Sequence, residues 1–87
     1  MFFFSTTTLS NGVQDVPMQL PPEWGVTGNR SNILAAACEL NEAEQPFVGK
    51  ASVQVLNIAP GDNSVVVRLN ILWDYPINVR LAIVVWP

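Results

Sequence analysis

Apolar residues recur at every second position over two stretches of this 87-residue chain. Along Ser64–Trp73 they are Val65, Val67, Leu69, Ile71 and Trp73. Along Ile77–Val85 they are Ile77, Val79, Leu81, Ile83 and Val85. Successive side chains of a strand point to opposite faces, so each set lines one side of a β-sheet. A helix gathers apolar residues at a period near 3.6, not 2. Ala51, Val53 and Val55 repeat the pattern one segment earlier.

These runs predict a three-strand meander over residues 47–86. Pro60-Gly61-Asp62-Asn63 supplies one turn, because Pro presets φ and Gly and Asn accept positive φ. Asp74-Tyr75-Pro76 supplies the next. With Ala59 opposite Asn63, Val55 meets Val67 and Val53 meets Leu69. With Trp73 opposite Ile77, Ile71 meets Val79 and Leu69 meets Leu81. Both registers set apolar against apolar. The inward face changes near Leu56, where a bulge would rephase the strand. The fold class is all-β, a small antiparallel sandwich or barrel.

Composition divides the chain. Residues 1–30 hold all of the Thr and most of the Gly, with three Pro, and read as an extended arm; residues 31–87 read as the β body of a single domain. Within the arm, Phe2–Leu9 suits a strand and Asn11-Gly12 a turn. Pro17 restricts Val13–Leu20 to a sheet edge or an extended segment. Ser31 or Asn32 can cap a helix, and Ala35, Ala36 and Ala37 favour one. One period-two side of this segment, Leu34, Ala36, Cys38 and Leu40, is nonetheless wholly apolar, and in an otherwise β chain tertiary context overrides propensity, so Asn32–Leu40 is expected to be a buried strand.

The chain is 49% apolar and only 13% charged, against an ordinary charged fraction of about 25%. A domain this small has little interior, so some apolar area faces a protein partner. The net charge is −3, and the four basic residues, Arg30, Lys50, Arg68 and Arg80, are scattered. That pattern supports neither nucleic-acid nor anionic-membrane binding. Cys38 is the only cysteine, which excludes an intrachain disulfide; its alanine neighbours predict a buried, inert thiol. Met1-Phe2-Phe3-Phe4 lacks the basic start and the longer apolar core of a signal peptide, and no apolar run reaches membrane-helix length.

The chain has no histidine. That removes Ser-His-Asp and Cys-His catalysis and the commonest metal ligand. No phosphate-cradling glycine motif occurs. No catalytic residue, metal ligand or cofactor is expected, and the chain is expected not to be an enzyme. The expected role is a structural subunit that self-associates, with a homotrimer as the first stoichiometry. A viral or phage capsid decoration protein, attached to a larger shell, fits that profile. Phe2, Phe3, Phe4, Met18, Trp24, Arg68, Arg80 and Trp86 are the candidate assembly residues. The alternative is a small oligomeric carbohydrate-binding domain, with Trp24, Trp73, Tyr75 and Trp86 as flat platforms for sugar rings.

Overall fold

The computed structural model describes residues 1–87. Six strands form: β1 (Phe2–Ser10), β2 (Gly12–Gln19), β3 (Asn32–Glu39), β4 (Ser52–Gly61), β5 (Ser64–Leu72) and β6 (Ile77–Trp86). A single 3-10 turn spans Pro22–Trp24. The strands build two antiparallel three-stranded sheets, ordered β1-β6-β3 (the first sheet) and β2-β5-β4 (the second). The all-β sandwich expected from the alternation is what forms.

The core lies between the two central strands. Val65, Val67, Leu69 and Ile71 of β5 and Val79, Leu81, Ile83 and Val85 of β6 are all but fully buried. Both alternating sets therefore point inward, as their spacing requires. Fully burying each such side chain is worth about 1.5–3 kcal/mol. Met18, Leu20, Val26 and Ile33 complete the same cluster.

The expected meander breaks between its second and third strands. β5 and β6 belong to different sheets, so Leu69 does not sit beside Leu81 in one sheet. The two inward faces meet across the sandwich instead. Alternation reveals which face is apolar but not whether its partner lies alongside or opposite. The β4–β5 hairpin does form, around a tighter turn than expected. Gly61 pairs with Ser64, leaving Asp62-Asn63 as a two-residue loop. Asn63 takes φ 55°, a left-handed conformation that Asn tolerates better than most residues. Past the turn Ile58 faces Val67; a shift between Val55 and Asn57 then sets Val55 against Leu69 and Val53 against Ile71. The bulge expected near Leu56 is thus present.

Residues 1–30 are less of an arm than their composition implies. β1 and β2 supply one strand to each sheet. Only Asn11 separates them, and Gly12 turns the corner at φ 70°. Pro17 lies in β2, which is an edge strand as expected. Leu20 donates its N–H to the carbonyl of Asn63, which continues the β2–β5 ladder through even-numbered residues of β2. The nitrogen of Pro17 therefore faces away from β5, where no ladder bond is lost. Asn32–Glu39 is a strand, not a helix. Its register with β6 runs from Asn32–Trp86 to Glu39–Val79.

Candidate functional site

The two outer faces of the sandwich differ in chemistry. On the first sheet, the registers bring Phe3, Val84 and Leu34 into one row across β1, β6 and β3. Ser5, Ala82 and Ala36 form the next row, and Thr7, Arg80 and Cys38 the one after. Trp86 extends the apolar end beside Asn32. Phe3 and Leu34 are 66% and 62% exposed. Arg80 is the one charged side chain in these rows. Neighbouring strands lie about 4.8 Å apart, so each row is a continuous band.

The second sheet carries a charged pair on its outer face. Asp15 of β2 stands opposite Arg68 of β5. Arg68 donates from Nε to Asp15 Oδ1 at 2.7 Å and from Nη2 to Oδ2 at 3.1 Å. These hydrogen bonds, helped by the guanidinium charge, hold the Asp15 carboxyl below its ordinary range. The same contact raises Arg68. Both side chains are about half exposed, so solvent screens the attraction. A shallow hollow of about 80 Å³ lies beside the pair, against Asn57, Ala59 and Val66.

The candidate assembly residues separate into three places. Phe2, Phe4, Met18 and Trp24 turn inward. Phe2 stacks on Trp24 with ring centroids 4.6 Å apart and planes 6° from parallel. Phe4 meets the same indole edge-on at 6.5 Å and 77°. Met18 is buried in the core. These four residues help close one chain's own sandwich, with Phe2, Phe4 and Trp24 partly buried against its core. Phe3, Arg80 and Trp86 do share one exposed face, that of the first sheet. Arg68 lies on the opposite face, engaged by Asp15.

The first-sheet face also uses Leu34, Val84, Ala36 and Ala82, which are not among the candidate assembly residues. Their signal is present all the same: Leu34 and Ala36 of β3 and Ala82, Val84 and Trp86 of β6 fall on the outer period-two sets, where a fully solvated face would carry polar residues. Cys38 ends that face half-buried rather than fully buried. It lines an open groove of about 220 Å³ with Phe47, Val48, Ala51 and Val53. Glu39 Oε1 is buried at this groove without a hydrogen-bond partner. No three His, Cys, Asp or Glu side chains converge on a common point.

The aromatic platforms are dispersed. Trp73 packs half-buried on the core and meets Tyr75 edge-on at 5.8 Å. Tyr75 and Trp86 are exposed, but they flank opposite ends of β6. Ten residues of strand separate such ends by roughly 30 Å. No helix is long and apolar enough to cross a membrane. The chain matches no protein-family model, no curated protein and no solved structure.

Proposed function

We propose that this chain is a non-enzymatic structural subunit that self-associates through its β1-β6-β3 sheet. The observation that carries the reading is the outer face of that sheet. Three successive rows hold a single charge, and Phe3, Leu34 and Trp86 stand exposed on it. Depletion of charge with exposed aromatics is the composition of an interface centre. A second copy is the matching occupant, because the face is nearly neutral and offers no charge pattern for an oppositely charged partner. Attachment to a larger shell, as in a capsid decoration protein, is the setting such a subunit suits.

Carbohydrate binding is the weaker reading. Phe2 covers a face of Trp24, and the remaining exposed aromatics do not gather around one concave site.

The test is native mass by light scattering across a dilution series into the low micromolar range. The intact chain is expected to be a multimer. Leu34→Glu, on the exposed face and away from the core, is expected to lower that mass with an unchanged far-UV spectrum. An intact chain that stays monomeric at every concentration would refute the proposal.

A further inference from the structure

A sandwich of two open sheets has four edges, and each unpaired edge invites another strand. Three of these edges carry a protective device. β2 presents Asp15 and Pro17, with the proline nitrogen on the free side. β4 is interrupted by its bulge at Leu56 and by Pro60. The end of β3 is covered: Leu40 bridges to Pro46, and Phe47 donates its N–H to the Glu39 carbonyl. β1 has none. Its nine residues, FFFSTTTLS, include no charge, no proline and no glycine, and its register with β6 is unbroken.

The direction of the free groups follows from the ladder. Leu40 donates to the carbonyl of Asn78, so the backbone groups of Asn78 point toward β3. On the β1 side, Leu9–Asn78 is then a non-hydrogen-bonded pair and Thr8–Val79 a hydrogen-bonded one. The alternation continues along the strand. Phe2, Phe4, Thr6 and Thr8 bond to β6, while the N–H and C=O of Phe3, Ser5, Thr7 and Leu9 point outward. None of these outward groups takes part in the turn, loop or side-chain hydrogen bonds of the chain.

We infer that the free edge of β1 pairs antiparallel with β1 of a second copy, about a twofold axis at Thr6. This rests on the self-association proposed above and adds to the face contact a second one, at the edge of the same sheet. In this register Phe3 pairs with Leu9 of the second copy, and Ser5 with Thr7. Every outward N–H and C=O of both strands is then used. Phe3 and Leu9, each 66% exposed, cover one another on the outer face. Hydroxyl side chains meet in the middle, a favourable cross-strand pairing. No like charges are brought together, since the strand has none. The two first sheets fuse into one six-stranded sheet, and their uncharged faces become continuous. A twofold contact of this kind is closed and joins two copies.

The register makes Thr6 meet its own equivalent in a non-hydrogen-bonded pair. Cα atoms of such a pair lie about 4.5 Å apart, within disulfide range. The experiment is oxidative cross-linking in a Cys38→Ser background. Thr6→Cys is expected to give a covalent dimer. Thr8→Cys is expected not to, because its equivalent lies four pairs away. Adding Thr7→Pro removes an outward N–H without touching the β6 ladder, and is expected to abolish the Thr6→Cys cross-link and lower the native mass. Leu34→Glu is expected to leave the cross-link in place. A multimer in which Thr6→Cys fails to cross-link, or in which Thr8→Cys links equally well, overturns the pairing but not self-association. A monomeric parent chain that does not cross-link overturns both.

Discussion

The stacked contact between Phe2 and Trp24 gives the sharpest test of whether β1 belongs to its own chain's sandwich. Trp24 touches Phe2 face to face and Phe4 edge to face. Aromatic pairs of this geometry contribute about 0.5–1.5 kcal/mol each beyond area burial. Truncating a well-packed tryptophan costs about 3–5 kcal/mol in total, and Trp24 is only half-buried. Trp24→Ala should therefore destabilise the fold by about 3 kcal/mol. A domain of this length has roughly 4–13 kcal/mol of stability, so the variant should fold but with a depleted margin. With a urea slope near 1–2 kcal/mol/M, the unfolding midpoint should fall by about 1.5–3 M. The decisive quantity is the double-mutant cycle of Phe2→Ala with Trp24→Ala. Its coupling energy should be about 0.5–1.5 kcal/mol and should persist at concentrations where the chain is monomeric. Additivity within about 0.3 kcal/mol would refute the intrachain stack. Coupling that vanishes on dilution would place Phe2 on a neighbour's tryptophan instead.

Leu81→Ala, at the middle of the core, should cost about 2–5 kcal/mol and lower the thermal midpoint by at least 10 °C or so, read by calorimetry. Arg68→Gln should return the Asp15 carboxyl toward its ordinary titration range, followed by NMR of its side-chain carbon. Because Asp15 is held low in the folded chain, its pairing supports the fold above the ordinary carboxylate range. That support is lost as pH falls through the lowered value, so Arg68→Gln should blunt acid sensitivity only in that window. Pro17→Thr should leave monomer stability nearly unchanged while reopening the β2 edge, raising the apparent mass at high concentration. An unchanged mass would mean that Asp15 protects this edge alone.

The alternating runs of β5 and β6 make the core legible from residue order alone, because only a strand places Val65 to Ile71 and Val79 to Val85 on single faces. The bulge at Leu56 is legible for the same reason: the pattern loses phase there. Pairing is not. The short Trp73–Pro76 connection fits a hairpin as well as a passage between sheets, and nothing local decides between them. The three phenylalanines mislead when taken as a block. Alternation within β1 sends Phe2 and Phe4 to the interior and Phe3 to the surface, so their roles differ although their chemistry does not. The first-sheet face needs β1, β6 and β3 in register before Phe3, Val84 and Leu34 become neighbours.

The position of β6 has a further consequence for the order of assembly in time. It is the central strand of the first sheet, yet it follows both of its neighbours in the chain. Until it is present, β1 and β3 have no ladder to join, whereas β4 and β5 close locally around Asp62-Asn63. Loop closure between residues this distant is slow compared with a local hairpin. The hypothesis that follows is a folding transition state polarised toward the second sheet, with the hairpin formed and β1 still detached. Ala59→Gly should then slow refolding, while Thr8→Ala should act mainly on the unfolding rate. The opposite split would mean that the most distant pairing in the chain, Phe2 with Val85, is made before the nearest one.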